Sequence, residues 1–365
     1  MIQELSYKGE WSLPGESEIY SGTLIFHPAT GAELEIIGRF GSGFMPPPIE
    51  VIHGKTISGW VTLFDTKHHA GHSSNVTSTD VTVYKPSFIF EGHRFESKDS
   101  LKFQSVHFSL FNLLEWLDPQ AIKLNRDDNK YLMEYYKPEN PKFKCYERCM
   151  GRIEFSLNSK NLNGHNKIEI YQESKIILEY ETNKNYWDIL KDIFVFVRFL
   201  TLCTYEQSYP LNIEFFADDL IDEFIQDHLG KSVLKPIKCI YQNSFYRPKY
   251  QTRKWHQHLL RYDSIKTRFE STVELWFKQL NDLEQPINLL LRSFIEKYDF
   301  SVEKFMDIVK ALELVHRLNF PNYVLPKDAF EEQKKKFFLI DLSHEERDWI
   351  EQKLEHSNEP NLNKR

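Results

Sequence analysis

Over about the first 115 residues, apolar and polar positions alternate in short runs divided by Gly- and Pro-rich turns. "SGTLIFHP", "AELEIIGRF", "GWVTLFD" and "SFIFEGHRF" read as strands, and "LPGE", "PATGA" and "MPPPIE" read as the turns between them. A period of two turns one strand face inward and the other to solvent. Several such strands in succession predict a sandwich or barrel-like β domain. "SLFNLLEWL", residues 109–117, fits either a short helix or a last strand. Further strands are expected in "RIEFSLNSK" and "KIEIYQESKIILEYET", joined by a hairpin connection at "NLNGHN". Residues 186–205 predict a helix capped by Asn183 or Asn185, and "LNIEFF" a strand after Pro210.

Beyond about residue 260 the period becomes helical, with Ile265, Phe269, Val273, Trp276 and Phe277 at three- and four-residue spacing. Pro286 sits early in the next segment, "INLLLRSFIEKY". "SVEKFMDIVKALELVHRLNF" opens on a Ser cap with Glu303 in the first turn and ends at Pro321. "SHEERDWIEQKLEHS" opens on another Ser cap and carries Trp349, Ile350 and Leu354 on one face. The expected fold class is α+β: a β-rich N-terminal domain over residues 1–235, a basic aromatic connector over 236–260, and an all-α bundle over 261–365. No internal repeat or low-complexity tract interrupts this plan.

Composition narrows the function. The 365 residues are enough for two or three domains, and 15% aromatic content argues against disorder. The longest apolar run, residues 193–203, is broken by Arg198 and is far shorter than the ~20 residues of a membrane span. It reads as a buried helix, and no membrane partner is expected. The start of the chain, "MIQELSYKGEW", is too polar for a secretory signal. Of the four cysteines only Cys145 and Cys149 lie close together, so no zinc set is completed; reduced thiols in the cytoplasm are expected. His68, His69 and His72 lie in "TKHHAGHSSNVTST", whose composition favours a loop over a metal site. No metal and no cofactor is expected. The absence of a Gly-rich phosphate loop, a G-x-S-x-G elbow and an H-E-x-x-H removes the commonest nucleotide enzymes and hydrolases.

Net charge is −7, which argues against a dedicated nucleic-acid binder. Residues 231–280, however, hold eleven Lys or Arg against three Asp or Glu, interleaved with Tyr241, Phe245, Tyr246, Tyr250, Trp255 and Tyr262. Cations with aromatics suit phosphate contact and base stacking, through Lys249, Arg253, Lys254 and Trp255. A solvated face, or a contact with the acidic "IEFFADDLIDEFIQDHLG", explains the same charges. Within "RKWHQHLLRY", Arg253 and His258 have the spacing that brings two side chains near one face of a helix. An imidazole that moves a proton and a guanidinium that holds a phosphate are the minimal set for metal-free RNA cleavage.

In order along the chain, "GEWSLPG", "SGTLIF", "GAELEIIG", "VIHGKTISGWVTLFD", "FEGHRF" and "LEW" resemble ApeA-like anti-phage proteins. So do "ELWFKQLNDLEQPINLLL", "FMDIVKALELVHR" and "RDWIEQKLEHSNEPNLNKR" further on. The resemblance implies a β-rich, sensor-like N-terminal domain followed by a helical HEPN domain, often dimeric and ribonucleolytic. It implies an abortive-infection function, with RNA (tRNA among the candidates), a phage-derived trigger and a second copy as partners. The family's nuclease pair is Arg-x(4–6)-His on a late HEPN helix. Here Arg253 and His258 precede those helices, and no such spacing occurs after residue 258. The helical region is therefore expected to lack the last part of the HEPN domain, by truncation or as a natural variant. Glu313 and Arg317 match the family's polar pair on the long helix, and equally form an ordinary i,i+4 pair. The competing expectation is a non-catalytic recognition and dimerisation module.

Overall fold

A computed structural model describes residues 4–41, 47–74, 79–127, 130–162, 167–243, 246, 254–295, 301–320, 323–340, 342–355 and 357–358. Its first six strands are β1 (Leu5–Ser12), β2 (Tyr20–His27), β3 (Gly31–Ile37), β4 (Ile49–Thr56), β5 (Gly59–Ser74) and β6 (Thr79–Lys85). They pair antiparallel in the closed ring β1-β2-β3-β6-β5-β4, so the barrel has no free edge. In β3 the predicted alternation appears directly: Ala32, Leu34 and Ile36 are buried, while Glu33, Glu35 and Ile37 face out. Trp11, Leu24, Phe26 and Tyr84 fill the interior. A β-carbon at Gly54 would overlap the Trp11 ring, so only glycine fits beside it.

The histidine-rich stretch is not the expected loop. Lys67–Ser74 continue β5 and pair with β6, with a bulge between His68 and Ala70. The bulge breaks the alternation, and the ladder to Val81 and Val83 overrides the local composition.

The remaining strands extend from β5 as an open sheet. They are β7 (Phe88–Glu91), β8 (Lys102–Leu110), β11 (Lys142–Tyr146), β12 (Cys149–Leu162), β13 (Lys167–Asn185), β14 (Pro210–Phe216) and β15 (Ile237–Tyr241). Their order is β11-β12-β13-β8-β14-β15-β7-β5. β9 (Ile122–Asp127) and β10 (Lys130–Tyr135) form a separate hairpin. The ambiguous run at 109–117 ends β8 and then forms α1 (Leu113–Leu117).

The longest apolar run is the buried helix α2 (Tyr186–Thr204), capped by Asn185, whose side chain accepts from Trp187 N at 2.9 Å. Its apolar face, including Ile189, Ile193 and Phe196, packs into the sheet's core. After α3 (Glu223–Leu229) come α4 (Tyr262–Ile265) and α5 (Phe269–Ile295). Phe269 and Val273 join the same core, and Trp276 Nε1 donates to the Val195 carbonyl at 3.1 Å. The first compact unit therefore runs to residue 280, beyond the expected boundaries at 235 and 260. The expected connector contains β15, which lies between β14 and β7.

Residues 281–365 form the second unit. It holds the end of α5, then α6 (Val302–Asn319), α7 (Lys327–Phe337) and α8 (His344–Leu354). The segments on either side of Pro286 form one helix, with Pro286 inside α5. The cost is one backbone donor. Ser301 and Ser343 cap α6 and α8 as expected, Ser343 within a capping box with Glu346. Arg292 ties α5 to α6 through Asp307 at 2.7 Å. Among the described residues, no helix is long and apolar enough to cross a membrane.

One sheet histidine makes stability pH-dependent. His107 stacks on Phe216, ring centroids 4.2 Å apart, and burial, then Lys175, hold its imidazole at about 4 instead of 6.5. Between those values the unfolded chain binds the proton and the folded one does not. Stability is thus full above pH 6.5 and falls as pH drops towards 4. Urea unfolding at pH 7 and pH 5 should show this loss, and a smaller loss in His107→Phe.

Candidate functional site

Two groups of side chains fall where RNA chemistry was expected, one in each compact unit. On α6, Arg317 Nη2 donates to Glu313 Oε1 at 3.1 Å. Both side chains are partly exposed, so the pair stabilises the helix by only about 0.3–0.5 kcal/mol and can exchange partners. Between them His316 stacks on Phe320, centroids 4.8 Å apart. The helix leaves Val302, Phe305 and Leu312 exposed, at 74%, 64% and 66%.

In the first unit, Lys254 caps a short turn, Trp255–Gln257, and its backbone N–H donates to Gln257 Oε1 at 3.1 Å. Trp255 is 48% exposed, and the Arg261 guanidinium lies 5.3 Å from its ring centroid. This is a cation–aromatic surface of the kind that stacks a base and neutralises a phosphate. His258 ends the same turn but is only 8% exposed. Arg253 and Lys249 lie outside the described residues, so the geometry of the Arg253–His258 pair is not on view. A buried imidazole is poorly placed to meet a polynucleotide.

A polar cluster in the first unit was not legible in the sequence. Asp192 on α2 accepts at Oδ2 from Lys184 Nζ (2.7 Å), Tyr146 Oη (2.8 Å) and Tyr180 Oη (3.1 Å). These groups come from β11, β13 and α2, and no spacing rule links residues 146, 180, 184 and 192. Cys145 and Cys149 lie beside them, buried and unbridged. Burial first, then neighbouring thiol and carboxylate groups, push the Cys145 thiol and the Tyr146 hydroxyl up, so both keep their protons. Such a cluster holds strands to a helix and offers no nucleophile. Among the described residues no three His, Cys, Asp or Glu side chains gather as a metal site.

Comparison with known proteins gives two matches. The family model described as ApeA N-terminal domain 1 matches residues 6–276, and the one described as Apea-like HEPN matches residues 306–365. No curated protein and no solved structure matches the chain.

The Asp192 cluster yields a stability test. Asp192→Ala leaves the Lys184 ammonium without its carboxylate in a largely buried site. It should destabilise the first unit by roughly 3 kcal/mol. Asp192→Leu combined with Lys184→Met should recover much of that loss, because no unpaired charge remains. Urea midpoints of the three proteins read the difference.

Proposed function

The chain belongs to the ApeA family, and from that membership we propose that it is a bacterial anti-phage defence protein acting by abortive infection. In this reading the β-rich unit is the sensor and the HEPN-like helices are an effector directed at RNA. The observation that carries it is the ordered pair of matches, ApeA N-terminal domain first and Apea-like HEPN second. The exposed Lys254–Trp255–Arg261 surface supports RNA contact in the first unit. On α6, Arg317, held by Glu313, is the supporting cation for a phosphate. Arg253 and His258 are the weaker candidates for chemistry, because His258 is buried. Trp255 and the three cations Lys249, Arg253 and Lys254 are assigned to binding.

The test is RNA binding and cleavage by the full chain, with tRNA and total RNA as substrates. Changing Lys249, Arg253 and Lys254 together to Ala should weaken binding and flatten its salt dependence by about 0.7 in log–log slope for each lost single-strand phosphate contact. Unchanged affinity and slope would make the basic stretch a solvated face. No cleavage dependent on His258 is expected; RNA cleavage abolished by His258→Ala in a folded protein would place the Arg253–His258 pair in the active site instead.

The second reading, a non-catalytic recognition and dimerisation module, is favoured by the exposed Val302, Phe305 and Leu312 on α6. It expects a homodimer by light scattering that Phe305→Glu with Leu312→Glu converts to monomer. A wild-type monomer would remove it.

A further inference from the structure

A cleft of about 670 Å³ opens in the first unit between the end of α1, the segment leading into β11, and the start of α5. That volume lies in the range of ligand sites. Leu117, Phe155, Tyr262 and Phe269 form an apolar floor, continuous with the core through the Trp116–Tyr262 and Tyr262–Phe269 ring contacts. The rim carries Asp118, Glu139, Asp263 and Glu270 against Lys142 and Lys266, so carboxylates outnumber ammonium groups two to one. Asp118 accepts from Gln120 Nε2 at 2.6 Å. Glu139, Asp263 and Glu270 take part in no ion pair among the described residues. Glu139 and Asp263 come from distant parts of the sequence yet line the same cleft as Tyr262. Burial and then these two carboxylates push the Tyr262 hydroxyl up. One wall is held in left-handed backbone at Asp118 and Gln120, φ 41° and 46°. A non-glycine residue keeps that geometry only when its surroundings impose it, so the wall is fixed before any ligand arrives.

We propose that this cleft binds a basic peptide segment of a partner protein, an apolar side chain on the floor and flanking lysines or arginines on the Glu139–Asp263 rim. The charge decides the class. A net-acidic rim repels phosphate, so nucleic acid is the wrong ligand here, in contrast to the Lys254–Trp255–Arg261 surface. The apolar floor favours an apolar side chain, which a polyamine lacks. A cleft takes an extended or protruding chain segment rather than a flat face. The inference does not depend on the ribonuclease reading.

The probe is a fluorescein-labelled Lys-Phe-Lys-Phe-Lys peptide titrated with the full chain, read by fluorescence anisotropy. Saturable binding that weakens with salt is expected. Glu139→Lys with Asp263→Lys should weaken it about tenfold or more. Glu139→Gln with Asp263→Asn, the milder variant, should weaken it by a smaller factor, and covers the case in which the reversed pair fails to fold. A Glu-Phe-Glu-Phe-Glu peptide should not bind. Absence of saturable binding, or equal affinity in folded rim variants, overturns the proposal. So does displacement of the peptide by spermidine as effectively as by unlabelled peptide, which would make the cleft a polyamine site.

Discussion

Strand β5 is shared between two cores, and the rest of the first unit depends on that sharing. Its residues Val61 and Leu63 point into the barrel, while Phe64 joins the core beneath α2. The neighbouring strands repeat the division: Ile52 and Ile89 serve the barrel, Val51 and Phe90 the other core. A strand buried on both faces cannot alternate apolar with polar. Between the two sets sits Thr62, fully buried, whose Oγ1 donates to the His93 carbonyl and accepts from Phe95 N. That hydroxyl satisfies two backbone groups of the "GHRF" segment where no sheet ladder reaches them.

What the sequence made legible follows from which faces meet water. β3 has one wet face and shows its period plainly. The caps Asn185, Ser301 and Ser343 are local chemistry, so they can be read without the fold. The second half of β5 was hidden because its bulge and its Gly, Ser and His residues mimic a loop; only the partner strand makes it a strand. β15 was hidden inside a charge pattern, since Lys238 faces out while Ile237 and Cys239 carry the burial. α7 exposes most of its surface and buries none of its residues, so no apolar stripe announced it.

The same logic separates the sites. Glu313 and Arg317 were legible because four residues make one helical turn. The Asp192 cluster and the acidic cleft were not, because each draws its groups from three or more elements that only the fold brings together. His258 is the instructive intermediate. Its spacing from Arg253 was legible, but spacing reports a shared face only on a helix. The described residues around it form a short turn that places Trp255 outward and His258 inward.

Charge counted along the chain misleads for a similar reason. Residues 231–280 are strongly basic, yet two of their three acids, Asp263 and Glu270, line the cleft. Lys254 and Arg261 sit instead at the exposed Trp255 turn. One short stretch thus carries two surfaces of opposite sign. Exposed charges are screened over about 8 Å at physiological ionic strength, so a ligand responds to the groups nearest it and not to the sum over the whole stretch. The net value of the stretch therefore predicts neither ligand. The Arg261 guanidinium lies over the Trp255 ring while carboxylates line the cleft beside Tyr262, although Trp255 and Tyr262 are only seven residues apart in the sequence.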